Sequence, residues 1–304
     1  MTQPLRIGYQ LAGDHEADPI ASALTAEELG FDVMLVSDHI GSGRSPLPTL
    51  GAIAQSTSRI RLGTFVLNND MRNPVQLAWE ATTLDRLSAG RFELGLGAGH
   101  TPQEYAATGM EMEYPKQRKD RLAESVEIIR QLLKGEPVDF DGDHYRIRGA
   151  QVDRSQQEHL PILVGGNGET LLGHAGAHAD IIGLQGLGRT QPDGHSHAVR
   201  WDPDWLTTQI EQVRRGAGRR FDQIELNVMV QMVEITDDRD AALRAICERV
   251  SGLSFEHAAS IPYILVGTIN QITHHILECQ NRWGISYFVV RELEAFAPVL
   301  AELR

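Results

Sequence analysis

Short apolar runs bounded by turn residues alternate along the chain with longer runs of helical period. Few folds accommodate that rhythm, because alternating β and α units build a parallel sheet with helices packed outside it. Eight runs carry strand character: 6–11, 32–37, 60–67, 92–97, 161–165, 180–184, 224–234 and 285–290. Helical periodicity fills 18–29, 48–57, 74–87, 118–133, 238–250, 272–283 and 293–303. Some eight units in 304 residues match the length of a (β/α)8 barrel with moderate insertions. The rival, an open doubly wound sheet, would follow its first strand with a Gly-rich turn opening a helix. The sequence Ala12-Gly13-Asp14-His15-Glu16 is not that fingerprint. The expectation is therefore an α/β TIM barrel forming a single domain over 1–304.

One stretch shows how the units are punctuated. Asn73 is an N-cap residue and Pro74 suits the first helical position, where no N–H is needed. Leu77, Ala81, Leu84 and Leu87 recur on one helix face until Gly90 ends the run. A strand follows at once, and Gly95, Gly97 and Gly99 strip side chains from its C-terminal end, so that something flat can approach the backbone. Extra length lies in 99–116, 136–160, 185–204 and 251–270. The first and third of these leave the C-terminal ends of strands four and six, the face on which barrels carry their sites. Segment 185–204 reads as a mobile cover.

Charge and composition exclude several classes. A formal charge of −13 argues against nucleic-acid and acidic-membrane partners, which need excess Lys and Arg. No membrane-length apolar run and no basic leader occur, which implies a cytoplasmic protein. Cys247 and Cys279 make neither a disulfide framework nor a zinc spacing. No metal site is expected.

Three places carry chemistry. Asp38-His39 follows strand two directly, which puts both side chains at the top rim; the pair moves protons and holds a cofactor edge, or else merely caps a loop. Asn68 ends the third strand and presents an amide to a heterocycle, or else makes a turn. Gly165-Gly166-Asn167-Gly168 opens a helix straight after an apolar strand, an anion nest suited to phosphate, although it lacks the Lys-Ser/Thr of a P-loop. His174 with His178, His195 with His197, and His274-His275 read as ordinary loop and helix-surface histidines.

The segments V-S-D-H at 36–39, L-G-T-F-V-L-N at 62–68, N-P-V-Q-L-A at 73–78, the run 84–99, R-L-A-E-S-V-E-I-I-R-Q-L-L at 121–133 and I-L-V-G-G-N-G at 162–168 together resemble the luciferase-like flavin family, and within it the coenzyme F420-dependent oxidoreductases. The resemblance implies a luciferase-like barrel with F420, or alternatively FMN, at the C-terminal ends of its strands. It implies that Asp38 lies along the cofactor and that His39 faces the reacting centre. Asn68 would touch the ring and Phe65-Val66 would back it through a non-proline cis peptide. Ala98 and Gly99 would allow close approach, and Gly165, Gly166 and Asn167 would hold the phosphate. His100 stands where sugar-phosphate dehydrogenases of the family carry an acid, so another proton donor or another substrate is expected, with His39 and His100 as the catalytic candidates. The implied activity is hydride exchange between F420 and a small organic substrate in a homodimer. Reduced-FMN monooxygenase chemistry and a carrier without turnover are the alternatives.

Overall fold

The computed structural model describes residues 3–11, 18–41, 43–190 and 197–304. Eight parallel strands form its centre: β1 (Arg6–Gln10), β2 (Val33–Val36), β3 (Arg61–Thr64), β4 (Phe92–Gly97), β5 (Ile162–Gly165), β6 (Ile181–Gly183), β7 (Glu225–Met229) and β8 (Ile285–Val290). Each pairs with its neighbours in sequence, β8 pairs with β1, and Leu62 of β3 lies opposite Phe92 of β4 to complete the ring. This is a closed (β/α)8 barrel.

The strands are apolar almost without interruption because both of their faces are buried, as in other all-parallel sheets. Along β2, Val33 and Leu35 point into the barrel with Leu163, Ile181, Tyr287 and Val289, whereas Met34 and Val36 face the helix layer with Leu62, Leu94 and Ile162. The period of two thus separates two cores.

Helix α1 (Pro19–Leu29) follows β1, α2 (Pro46–Ser56) follows β2 and α3 (Pro74–Leu87) follows β3. The Asn73 side chain accepts from the Val75 N–H at 2.9 Å, the cap that the sequence implies. Leu77, Ala81 and Leu84 are buried, but Leu87 is 45% exposed. Ten residues beyond Leu77, Leu87 has rotated about 80° off that row, and the inward face is completed by Ala78, Thr82 and Asp85 instead.

Two further differences affect the mouth of the barrel. The seventh run is two strands: after β7 the Gln231 N–H donates to the Tyr263 carbonyl at 2.8 Å, and Met232–Ile235 leaves the barrel to pair with Ile264–Gly267. Helix α7 (Pro203–Ala217) was not anticipated, although Asp202 caps it and Pro203 opens it. The remaining helices include α4 (Pro102–Thr108), α5 (Pro115–Leu132), α6 (Glu169–His178), α8 (Arg239–Arg249), α9 (Phe255–Ser260), α10 (Ile269–Trp283) and α11 (Ala297–Glu302). Within the expected cover, Leu187–Thr190 pairs antiparallel with His197–Val199, and 191–196, including His195, lie outside the described residues, as do 12–17. Among the described residues no helix is long and apolar enough to cross a membrane. Both cysteines are free thiols, and burial pushes Cys279 up to about 12.

Candidate active site at the barrel mouth

A cavity of about 780 Å³ opens at the C-terminal ends of the strands. Asp38, His39, Phe65, Val66, Asn68, Ala98, Gly99, His100, Gly165, Gly166 and Asn167, separated by as many as 129 positions, all line it. The Phe65-Val66 peptide bond is cis. Gly97, Gly165 and Gly183 stand side by side across β4, β5 and β6. Their neighbours show where the absent side chains matter. A Cβ on Gly95 would lie 1.9 Å from the Thr64 carbonyl, and one on Gly97 would lie 2.7 Å from Val66. The room left by these glycines is thus taken up by the end of the third strand, which sets Val66 against the cavity, rather than lying open to a flat ligand. Gly99 is different: its φ is +71°, and a Cβ there would lie 2.2 Å from the Tyr105 hydroxyl and 2.5 Å from Asn68 Oδ1.

Asp38 is held on several sides. Its carboxylate accepts from Arg72 Nη1 at 2.6 Å and Nη2 at 2.9 Å, and from the Asn68 N–H at 2.8 Å. These bonds are those of the loop-capping alternative: one side chain, on the cavity wall, ties strand two to strand three. Asn68 Oδ1 accepts from the Asp70 N–H at 3.1 Å and lies 3.4 Å from the Tyr105 hydroxyl. Its Nδ2 is buried without a hydrogen-bond partner among the described residues.

His39 Nδ1 lies 2.7 Å from Glu104 Oε1, a carboxylate that is itself 7% exposed. That hydrogen bond raises the imidazole pKa, opposed by burial and assisted by the charges of Glu104 and Asp38. The proton on Nδ1 points at the carboxylate, leaving Nε2 as the atom free to exchange a proton. His100 meets His39 edge to face, with ring centroids 5.5 Å apart.

On the other side of the mouth, Gly168 caps α6 with a φ of 95°. Lys119 Nζ donates to the Asn167 carbonyl at 2.9 Å, and burial lowers its pKa. The Asn167 side chain accepts from Gln209 at 2.8 Å. Arg118 donates to the Ala98 carbonyl at 3.0 Å and also to that of Gly99, fixing the backbone where β4 ends. Backbone N–H groups of a helix N-terminus beside a cation suit a phosphate.

Sequence reasoning missed Arg72, Glu104, Arg118, Lys119 and Arg291. Only Glu104 had a local signal: Thr101-Pro102-Gln103-Glu104 has the spacing of a capping box, yet Glu104 turns to His39 instead. One dismissed histidine also differs from expectation. His275 is buried, with Nε2 3.1 Å from the Ile261 carbonyl, while His274 stays on the surface.

The model of the luciferase-like monooxygenase family matches residues 7–282. The F420-dependent glucose-6-phosphate dehydrogenase of Nakamurella multipartita is 32% identical over 254 residues, which is 79% of this chain and 71% of that protein. The enzyme of the same name from Mycobacterium avium is 36% identical over 188 residues, 58% of this chain and 56% of its own length. The solved coenzyme F420-dependent tetrahydromethanopterin reductase of Methanopyrus kandleri shares the fold, with a TM-score of 0.75 at 21% identity over 98% of this chain and 97% of its own. A family match across most of the barrel, on a chain whose strands close as that fold requires, means that this protein belongs to the luciferase-like monooxygenase family.

Proposed function

We infer that the protein is an oxidoreductase that moves hydride between coenzyme F420 and a small organic substrate. The observation that carries this reading is a barrel-mouth cavity lined by both the His39–Glu104 pair and an amide donor without a partner among the described residues. The relative named as an F420-dependent dehydrogenase supplies the choice of cofactor.

The residues present fit a deazaflavin. An unsatisfied buried donor costs about 1–3 kcal/mol, and Asn68 Nδ2 recovers that on meeting a ring acceptor. Phe65 and Val66 back the ring, Ala98 and Gly99 border it, and Gly165, Gly166 and Asn167 with Lys119 take the phosphate. Asp38 holds Asn68 in register through its backbone N–H. When bound, the deazaflavin supplies a carbon that donates or accepts hydride. His39 Nε2 moves the accompanying proton, and Glu104 keeps the imidazolium populated above the usual histidine range. His100 serves the same proton path; its edge contact with His39 supports this reading. Glucose 6-phosphate is not carried over as substrate: with His100 where the resemblance places an acid, the activity needs another proton donor or another substrate.

The family's monooxygenase name keeps one second reading in view, oxygen chemistry with reduced FMN. Titration of the protein with F420, followed by fluorescence, and oxygen uptake with each reduced cofactor separate the two. Oxygen uptake with FMN and no F420 binding would overturn the proposal, and tight F420 binding without turnover on a broad substrate panel would favour a carrier. The reading includes a single-domain protein acting in the cytoplasm as a two-fold homodimer. A monomer mass in light scattering would remove the dimer.

A further inference from the structure

The charged groups lining the mouth do not balance. Its two carboxylates each have a partner of their own: the Arg72 guanidinium for Asp38 at 2.6 Å and the His39 imidazole for Glu104 at 2.7 Å. Three cations have no carboxylate partner among the described residues. Arg118 donates to backbone carbonyls and Lys119 to the Asn167 carbonyl. Arg291 donates to Gln10 Oε1 at 3.0 Å and to Met229 Sδ at 3.6 Å. The nearby Glu292 carboxylate accepts the Arg291 backbone N–H instead, at 3.0 Å. Desolvation lowers the pKa of both Lys119 and Arg291, and at Arg291 the charge of Glu292 opposes that shift without overcoming it. On a chain with a net charge of −13, this local positive excess runs against the overall charge.

The uncompensated cations lie on different sides of the ring. Lys119 reaches the loop after β5, with Arg118 beside it at the end of β4. Arg291 follows β8, and its partners stand at the ends of β1 and β7. Between β8 and β5 the barrel places β7 and β6 one way, and β1 to β4 the other. The Lys119 side takes the cofactor phosphate in the functional reading above, on which this inference rests. The Arg291 side is then a second anion position, and it lies close enough to His39 for the two charges to interact.

We propose that Arg291 receives an oxyanion of the substrate, a carboxylate or a phosphate, and thereby orients the substrate beside His39. The substrate class is then a small organic molecule carrying that oxyanion, and Arg291 determines specificity. A planar guanidinium presents the two parallel donors that such a group accepts.

The test is calorimetric titration of inorganic phosphate and of acetate into the protein, with and without F420, in the wild type, Arg291→Gln, Arg291→Lys and Lys119→Gln. The wild type without F420 should bind phosphate at two positions, and F420 should displace only the one that Lys119→Gln removes. Arg291→Gln should weaken the other roughly ten- to hundredfold while F420 affinity holds, and Arg291→Lys should keep most of it. Tighter acetate binding at that position would indicate a carboxylate substrate, and tighter phosphate binding a phosphorylated one. Anion binding that is unchanged in Arg291→Gln, or a loss of F420 affinity there equal to that in Lys119→Gln, would overturn the proposal. If F420 failed to bind the wild type, the functional reading would fall, and the Arg291→Gln titration would still decide this one.

Discussion

At the floor of the barrel, Arg6 donates to Glu93 at 2.5 Å and to Glu225 at 2.7 Å, and Arg61 donates to the same Glu93 oxygen. At the mouth, Arg118, Lys119 and Arg291 donate to carbonyls, an amide and a sulfur. Both ends are lined by charge, yet at the floor the strand-borne charges meet one another, whereas at the mouth three cations on helix α5 and after β8 have no carboxylate partner among the described residues. The floor is dry enough that burial pushes Glu225 up to about 7 in spite of its arginine. An ion pair of this kind fixes geometry more than it adds stability, and it is costly to leave half-made. Cations without a carboxylate partner among the described residues, in contrast, lie at the end to which the proposed function assigns the chemistry.

Breaking each end should therefore produce different losses. The largest effect is expected from His39→Ala, which should slow single-turnover hydride transfer by about 10²- to 10⁴-fold, with F420 affinity by fluorescence titration nearly intact. Loss of affinity with the chemical step preserved would make His39 a cofactor-holding residue instead. Glu93→Ala should do the reverse. It leaves Arg6 and Arg61 short of a buried partner, and it should lower unfolding free energy in urea by about 3–5 kcal/mol while turnover per folded molecule is kept. Equal catalytic damage from both variants would dissolve the distinction between the two ends.

Glu104→Gln sharpens the same contrast within the mouth. The hydrogen bond that His39 donates to Glu104 is the leading cause of its raised pKa. A raised imidazole pKa keeps the acid form populated as pH climbs, so a step that needs imidazolium stays fast to higher pH. With an amide at 104, the inflection of the pH–rate profile should move to lower pH, and the rate above neutral should fall about tenfold, as expected for losing a hydrogen bond to a charged group. A profile that loses amplitude without moving would mean that Glu104 acts on His39 only through packing.

The two ends were also unequally legible in the sequence. Eight strands could be placed because each is an apolar run between turn residues, and because Asn73, Pro74 and Gly90 punctuate their unit. Asp38, His39, Asn68 and Gly165 to Asn167 could be placed at the rim because they directly follow strands. The break after Met229 was not visible, since Met232–Ile235 continues the apolar pattern and leaves only to pair with Ile264–Gly267, more than 30 residues on. Helix α7 was legible and went unread: Asp202, Pro203, Leu206, Ile210 and Val213 carry cap and period alike. Arg72, Arg118 and Lys119 have no local mark. A cation on a helix or loop looks solvated until the fold brings a carboxylate or carbonyl from another segment to it, and both members of the floor pair Arg6–Glu93 were invisible for the same reason.

The smallest expected effect tests how the orphan donor is aimed. Asn68 can present Nδ2 to a ligand only if its amide is held one way round, and Oδ1 is fixed by the Asp70 N–H at 3.1 Å with the Tyr105 hydroxyl 3.4 Å away. The Tyr105 hydroxyl also reaches Asp70 Oδ2 at 3.0 Å, and burial with the Asp70 charge pushes its pKa up to about 12, so it stays a donor throughout the working range. A single hydroxyl proton serves one acceptor at a time, so Tyr105 supplies only part of the hold. Tyr105→Phe should therefore weaken F420 binding by about two- to tenfold, the equivalent of one neutral hydrogen bond, while Asp70 keeps its Arg121 partner at 2.9 Å and stability changes little. A hundredfold loss of affinity would place Tyr105 against the cofactor itself. No change would assign the orientation of Asn68 to the Asp70 N–H alone.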